Sequence, residues 1–264
     1  MKVFPFCYLY SMVEKVKCVG ISDTHGLLPK DLPEGDILCI AGDISPLEIQ
    51  EDTVSMVSWF CLEFLPWVEK SPYKKVLLCA GNHDFFLENI HKRAKQNPYP
   101  PYNIEYSWRS GSEVMKKLLP GNLKGKYSKL VYLCDSSFNY EGRRFYGSPW
   151  CTNLQRWAFY KNTEDITKAY SMIPKKCDVI ITHQPPKIEG LGQVIQGGTW
   201  NYFEDYGSEE LADVLKTRDF KYALCGHVHS GQHYPVDLDG KKLVNVSQKN
   251  EDYEYSYYPY VFEV

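Results

Sequence analysis

The chain has 264 residues, of which 44% are hydrophobic, and this is enough apolar material for one sizeable core. The net charge of −3 excludes the basic excess of bulk nucleic-acid binders, and no acidic tail indicates disorder. We therefore expect a single domain over 1–264 with a short N-terminal extension over 1–14, no stable nucleic-acid partner, and a small anionic substrate that meets a locally positive site.

Short β-branched runs that end in turn residues predict nine strands. Several of them lack polar alternation, which is typical of strands that are covered on both faces. In chain order the predicted strands are 16–22, 36–41, 75–80, 129–134, 144–147, 178–182, 221–225, 243–247 and 258–263.

Helices are predicted between these strands, at 52–65, 84–96, 111–119, 163–172 and 208–216. Pro66 should bend or end the first helix, and Ser208 suits the N-terminus of the last. Helices and strands alternate early, and strands follow one another late, which favours sheets packed as a sandwich between helices. The proline- and aromatic-rich stretch 97–110 predicts an ordered surface connector rather than a lid.

The cysteines and the apolar segments bear on location. Nine cysteines include no C-x-x-C pair, and several lie inside apolar runs, which favours a reducing compartment such as the cytoplasm. Pro5 and Ser11 interrupt the apolar start, so we do not interpret it as a signal peptide. No apolar run reaches 18 residues, and no membrane association is expected.

Polar side chains follow five of the predicted strands, at the strand ends where α/β sheets bind ligands. The strands end in S-D-T-H-G, A-G-D, G-N-H-D, T-H-Q-P-P and G-H-V-H. The candidate metal ligands in these segments are Asp23, His25, Asp43, Asn82, His183, His227 and His229. Residues two apart in an extended segment point the same way, so Asp23 and His25 are able to bind one ion together. The same holds for His227 and His229 unless the turn directs them towards separate ions.

The number and type of donors indicate two ions rather than one. Oxygen and imidazole ligands without cysteine suit divalent Mn, Fe, Zn or Ni, with Mg as a further candidate. Seven such groups exceed what one ion takes, whereas two ions about 3.5–4 Å apart that share a carboxylate fit well. Each motif alone is weak, because a lone Asp-x-His or Asn-His pair is more often a cap or a turn. Five of the seven histidines, however, fall within these motifs.

The five blocks, in this order from residue 23 to residue 229, resemble the calcineurin-like metallophosphoesterases. The resemblance implies a four-layer α/β/β/α sandwich with a dinuclear metal site at the carboxyl ends of the strands. It also implies the division of ligands: Asp23, His25, Asp43 and His229 at one metal, and Asp43, Asn82, His183 and His227 at the other. His83 would bind phosphate and protonate the leaving alkoxide.

Further segments narrow the resemblance to one branch of the family. S-D-T-H-G at 22–26, Y-G-S-P-W at 146–150 and H-Q-P-P at 183–186 are similar to the metallophosphoesterase-domain-containing proteins, which are related to class III cyclic-nucleotide phosphodiesterases. This branch implies hydrolysis of small phosphodiesters by a metal-bound hydroxide, with Mn²⁺ favoured. A phosphomonoesterase or nucleotidase, a nuclease, and a catalytically inert metal-binding scaffold are the alternatives.

One position departs from the family. Many members read G-D-x-x-D at the second block, whereas Pro46 stands here in place of the second aspartate, which often supports the catalytic histidine. What orients His83 is therefore left open by the sequence. We expect Asp84 to cap or brace the helix that follows it. Candidates for stacking a nucleobase are Tyr99, Trp108, Trp150, Trp157 and Trp200.

Overall fold

The computed structural model describes residues 15–96, 128–196 and 202–264. The predicted N-terminal extension over 1–14, the connector at 97–110 and the helix at 111–119 lie outside the described residues. So do three of the stacking candidates, Tyr99, Trp108 and Trp200.

Thirteen strands and five α-helices are described, and a π-helical turn at Phe60–Phe64 joins the first two helices. The strands are β1 (Lys17–Ile21), β2 (Ile37–Ala41), β3 (Lys75–Cys79), β4 (Leu130–Leu133), β5 (Ser136–Tyr140), β6 (Arg143–Ser148), β7 (Val179–Thr182), β8 (Gln193–Gln196), β9 (Tyr202–Asp205), β10 (Tyr222–Cys225), β11 (Val236–Leu238), β12 (Lys241–Asn245) and β13 (Tyr260–Glu263). The helices are α1 (Thr53–Trp59), α2 (Leu65–Lys70), α3 (Phe85–Gln96), α4 (Thr163–Ser171) and α5 (Glu209–Lys216).

Two sheets form the centre of the fold. The first has the order β13-β1-β2-β3-β4, parallel except for β13. The second has the order β11-β12-β10-β7-β6-β5, and its four inner strands are parallel. Strands β1, β2 and β3 run parallel to one another in the first sheet, and β7 runs parallel to β10 in the second. The loops that follow the strands of one sheet therefore all leave it at the same edge. β8 and β9 form a separate antiparallel pair.

Alternate residues of each inner strand enter two different cores. On β2, Cys39 packs between the sheets with Leu77 and Ile181, while Leu38 and Ile40 face the helices. The helical side of the first sheet is covered by α1 to α3, and that of the second by α4 and α5, through buried residues such as Phe60, Phe64, Phe86, Ile166, Tyr170 and Leu215. The resulting order is helix, sheet, sheet, helix, which confirms the predicted four-layer sandwich.

The nine predicted strands are all present within about two residues of their predicted ends, a normal scatter for boundaries. Four short strands, β5, β8, β9 and β11, were not predicted. β5 alternates polar and partly buried residues rather than forming an apolar run, and β11 has only three residues. Pro66 does not end the first helical segment, because the π-helical turn precedes it and α2 continues to Lys70.

The described residues contain eight of the nine cysteines and five α-helices, on which the predictions about burial of thiols and about membrane-spanning segments depend. Six of the eight cysteines in the described residues are buried, as expected for small apolar side chains. Among the helices that the structure describes, none combines the length and apolar character needed to cross a bilayer.

Candidate metal centre

The seven predicted ligands lie together at the carboxyl ends of five strands. Asp23 and His25 follow β1, Asp43 follows β2, and Asn82 follows β3 in the first sheet. His183 follows β7, while His227 and His229 follow β10 in the second sheet. The centre thus lies where the ends of the two packed sheets meet. The structure brings the seven side chains together, and their role as ligands stays a prediction.

Four of these residues have a left-handed backbone, a conformation that non-glycine residues rarely adopt. The φ angles are 55° at Asp23, 43° at His25, 54° at Asp43 and 68° at His227. A conformation of this kind costs about 1–3 kcal/mol per residue and clusters at functional sites. Here it turns each segment sharply at the strand end.

Backbone hydrogen bonds fasten the loop after β1 to the loop after β2. The N–H of Asp23 donates to the carbonyl of Gly42 at 3.0 Å, that of His25 to Asp43 at 3.0 Å, and that of Gly26 to Ile44 at 2.9 Å. The carboxylates of Asp23 and Asp43 therefore belong to one rigid unit rather than to two independent loops.

Asp43 lies at the centre of the cluster and is 1% exposed. Its Oδ2 is 3.1 Å from Nε2 of His183, 3.8 Å from Nε2 of His83 and 4.0 Å from Nε2 of His25. Burial alone would raise the pKa of this carboxyl, but the positive charge available on His183 and His83 outweighs burial and lowers the pKa. Asp43 is thus an ionised carboxylate that faces histidines from both sheets, as a bridging ligand must.

A second group forms around Asp23, whose Oδ1 is 3.4 Å from Nε2 of His229. Both carboxylate oxygens of Asp23 accept the backbone N–H of His227, at 3.1 and 3.0 Å. The other ring nitrogen of His229, Nδ1, is 2.9 Å from the carbonyl of Asn250 and donates to it, which turns Nε2 towards Asp23. Burial would lower the pKa of His229, but Asp23 outweighs burial and raises it to about 9.

His183 is held in the same way. Its Nδ1 lies 2.7 Å from the carbonyl of Ala41, so Nε2 faces Oδ1 of Asn82 at 2.9 Å and the carboxylate of Asp43. Burial would lower the pKa of His183, but the charge of Asp43 outweighs burial and raises it to about 9. An imidazole nitrogen that faces two oxygen atoms in a buried site requires a proton or a metal cation between them.

His25 provides the clearest sign that a cation belongs in the site. Its side chain is fully buried, and neither ring nitrogen has a hydrogen-bond partner in the described part of the chain. Burial lowers its pKa to about 4, which keeps the imidazole neutral with a free lone pair. Since unpartnered buried polar groups are rare, a metal ion is the partner that fits this nitrogen.

The donor atoms are close enough to share ions. Ligand atoms lie within 4.8 Å of one another in three groups, which are Asp23–His25–His229, His25–Asp43–His83 and Asp23–Asp43–His183. His227 completes the cluster from the second sheet, with its ring centroid 5.1 Å from that of His183. The oxygen and nitrogen donor set fits divalent cations, and each carboxylate belongs to two of the three groups.

Glycines allow this close approach. A Cβ atom at Gly81 would overlap Oδ1 of Asp43, and one at Gly226 would overlap the carboxylate of Asp23. Any side chain at either position would push a carboxylate out of the cluster.

Asp84 has a different role from the one expected, because its side chain does not cap α3. Oδ2 accepts the N–H groups of Asp43 at 3.0 Å and Gly81 at 2.8 Å, and Oδ1 accepts from Ile44 and from both the N–H and the hydroxyl of Ser45. Burial and the nearby Asp43 raise its pKa to about 7, while these five donors favour the charged form. Asp84 therefore fixes the loop that carries Asp43.

His83 is at the solvent side of the cluster and is 9% exposed. The backbone N–H of His83 donates to Oδ1 of Asp43 at 2.8 Å, and the centroid of its ring lies 4.8 Å from that of His25. Burial lowers its pKa, and Asp43 opposes that effect. Trp157 covers the other side, with the ring centroids 4.4 Å apart, and remains 37% exposed.

Several groups around the site were not found by sequence reasoning. The carbonyls of Ala41 and Asn250, which orient His183 and His229, carry no residue-type signal. Tyr253 packs its ring 5.0 Å from that of His25 and 5.1 Å from that of His229, yet it follows the last recognisable block by more than twenty residues. Trp150, a stacking candidate, is 6% exposed and donates its indole N–H to Asp135, so it belongs to the core.

The family follows from a direct match. A family model for the calcineurin-like phosphoesterases matches residues 16–231, which include the complete cluster, and the chain belongs to this family. This membership agrees with the resemblance that the sequence blocks gave.

Curated relatives support the same branch. Metallophosphoesterase domain-containing protein 1 of Homo sapiens is 30% identical over 247 residues, which cover 89% of this chain and 67% of the relative. UPF0046 protein T07D4.2 of Caenorhabditis elegans is 27% identical over 264 residues and 95% of this chain. The chain spans 60% of the length of that relative.

A solved structure supports the fold. Phosphopantetheinyl Hydrolase (PptH) from Mycobacterium tuberculosis aligns with 94% of this chain and 95% of its own, with a TM-score of 0.52 and 13% identity. At this identity the similarity concerns the fold alone.

Replacing Asp84 with Asn should loosen the loop of Asp43. The amide nitrogen of Asn would face the N–H groups of Asp43 and Gly81, or else those of Ile44 and Ser45, and leave buried donors unpaired. We expect the free energy of unfolding to fall by about 2 kcal/mol or more, measured by urea denaturation. Asp213→Asn, at an exposed residue of α5, should change it by less than about 0.5 kcal/mol. Equal effects of the two variants would contradict the role of Asp84.

Proposed function

We propose that the protein is a phosphodiesterase that hydrolyses small phosphodiesters such as cyclic nucleotides. The observation that carries this proposal is the position of His83, whose Nε2 faces the Asp43 carboxylate at 3.8 Å from the rim of the buried donor cluster. Two divalent ions, Mn²⁺ first and Fe, Zn²⁺, Ni²⁺ or Mg²⁺ as alternatives, would occupy the cluster. One would be held by Asp23, His25, Asp43 and His229, and the other by Asp43, Asn82, His183 and His227.

Bound divalent ions would lower the pKa of a water ligand and offset the charge of the phosphoryl oxygens. The chain itself contributes the proton for the leaving group. Nε2 of His83 is the ring nitrogen directed into the cluster, so the N–H that Nε2 bears in the imidazolium is the group that donates to the departing alkoxide oxygen, and the ring is left neutral. Such a positioned acid contributes about 10²–10⁴-fold. The backbone bond from His83 to Asp43 keeps the acid and the bridging carboxylate in fixed relation.

The charges around the cluster favour a diester over a monoester. A phosphodiester carries one negative charge at neutral pH, whereas a monoester carries about 1.5–2. Among residues 15–96, 128–196 and 202–264, no lysine or arginine forms an ion pair with Asp23 or Asp43 or with another member of the cluster. Within the described residues the carboxylates of Asp23 and Asp43 therefore pair with histidines, an arrangement that supports a singly charged substrate.

The aromatic rim supports a substrate with a planar ring. Trp157 lies against His83, the proposed acid. Phe85 stacks on Trp157, with the ring centroids 5.9 Å apart. Tyr253, which is 39% exposed, stands beside His25 and His229. An exposed indole next to the leaving-group position offers a stacking surface for a nucleobase.

The activity is tested with Mn²⁺-loaded protein on bis-p-nitrophenyl phosphate, p-nitrophenyl phosphate and nucleoside cyclic phosphates. We expect the diesters to have the higher kcat/KM. Asp43→Ala should abolish turnover, and His83→Ala should lower it by about 10²-fold or more on cyclic nucleotides, whose alkoxide leaving group needs a proton. Asp213→Ala, at an exposed residue, serves as the control.

Any result other than a preference for small diesters would indicate a different function. A preference for the monoester indicates a phosphomonoesterase or nucleotidase, and activity on polynucleotides alone indicates a nuclease. Metal binding without turnover of any phosphoester indicates a scaffold. Unchanged turnover in both Asp43→Ala and His83→Ala would remove the site assignment itself.

Trp157→Ala tests the stacking surface. Loss of one base–aromatic contact is worth about 1–3 kcal/mol, so kcat/KM for a nucleoside cyclic phosphate should fall about tenfold. Trp157→Phe should retain most of the rate, and ribose 2′,3′-cyclic phosphate, which has no base, should lose much less rate in Trp157→Ala than the nucleoside cyclic phosphate does. A fall that is the same with and without the base would show that Trp157 only packs.

A further inference from the structure

We infer that Gln50 is the positioning residue of His83, in the place that an aspartate takes in many relatives. This inference rests on the proposed function, because it assigns a role towards the proposed proton donor. Position 46 cannot supply the contact, since Pro46 has no polar side-chain atom. A Cβ at Gly26 would meet the ring of Pro46 at 2.8 Å, so this residue packs directly against the loop that follows His25.

Gln50 reaches the histidine from the same loop, four residues further along. Its Oε1 lies 2.5 Å from Nδ1 of His83. An amide oxygen has lone pairs and no hydrogen, so the ring nitrogen must be the donor in this bond. Nδ1 therefore keeps its proton in both the neutral ring and the imidazolium, so Nε2, which faces Asp43 and the leaving group, is the nitrogen that takes up and releases the proton of the acid step.

The backbone on both sides of Gln50 is fixed. Before it, the N–H of Ile49 donates to the carbonyl of Pro46 at 3.3 Å. After it, Asp52 caps α1 through its bonds to the N–H of Val54 at 3.0 Å and the hydroxyl of Ser55 at 2.6 Å. The amide is thus presented from a rigid turn rather than from a free loop, and Gln50 itself is half-buried.

The imidazole is confined on its remaining sides by rings. Trp157 lies 4.4 Å away, and the edge of His25 lies 4.8 Å away, between ring centroids. Rings restrict the tilt of the imidazole but do not choose which nitrogen is protonated or stop a flip that exchanges the ring nitrogens with the ring carbons. In the described part of the chain, Gln50 is the side chain that hydrogen-bonds the ring of His83. Its amide oxygen therefore determines which ring nitrogen is protonated in the neutral imidazole.

The test compares Gln50→Leu, which keeps the size but removes the acceptor, with Gln50→Glu, which keeps an acceptor. With cyclic nucleotides as substrates we expect Gln50→Leu to lower kcat by about 10–100-fold with little change in KM, and Gln50→Glu to restore most of the rate. With a p-nitrophenyl diester, whose leaving group needs little protonation, the loss should be severalfold at most. Glu51→Gln, at the exposed neighbouring residue, is the control.

A second readout does not depend on turnover. Long-range ¹H–¹⁵N spectra of the full chain loaded with diamagnetic Zn²⁺ report the protonated nitrogen of His83. The wild type should show protonated Nδ1, and Gln50→Leu should show a mixture or the other tautomer. If Gln50→Leu keeps both the tautomer and the kcat of the wild type, the role of Gln50 is wrong. If the wild type hydrolyses no phosphoester but its tautomer changes in Gln50→Leu, the positioning contact stands and the proposed function fails.

Discussion

The centre depends on one buried negative charge, the carboxylate of Asp43. A carboxylate that is 1% exposed is tolerated only where cations and donors surround it. The chain supplies three imidazoles within 4.0 Å and one backbone N–H, and it holds the loop behind the carboxylate through the five bonds of Asp84. The arrangement of the three histidines follows from this charge, because His183, His25 and His83 each direct Nε2 towards the carboxylate of Asp43.

The two sheets make the arrangement rigid. The first sheet carries both carboxylates together with His25 and Asn82, and the second carries His183, His227 and His229, so the full set of seven donors meets only because the sheets pack face to face. Left-handed conformations at four of the predicted ligand residues store strain that regular strands do not carry. The backbone bonds between the loops of β1 and β2 keep that strain in place. A site of this type is preorganised, with little reordering left for the arrival of ions.

The sequence predicted the sandwich, nine of the thirteen described strands and the convergence of the seven candidate ligands, because apolar runs that end in polar clusters are local patterns. Long-range partners were not predictable in this way. Asp84 was expected to serve the adjacent helix, yet it bonds to a loop 39 to 41 residues earlier. Gln50 belongs to no motif, and its contact spans 33 residues. Pro66 was expected to bend or end the first helix, and it does not end it, because the helical segment continues from the π-helical turn through α2 to Lys70.

We propose that Asp43 lies between two adjacent cations. This arrangement is tested most directly by anomalous diffraction at the Mn edge, on crystals of the full chain grown with saturating Mn²⁺. We expect two peaks about 3.5–4 Å apart, one on either side of the Asp43 carboxylate. A single peak, or peaks that do not contact Asp43, would contradict the account.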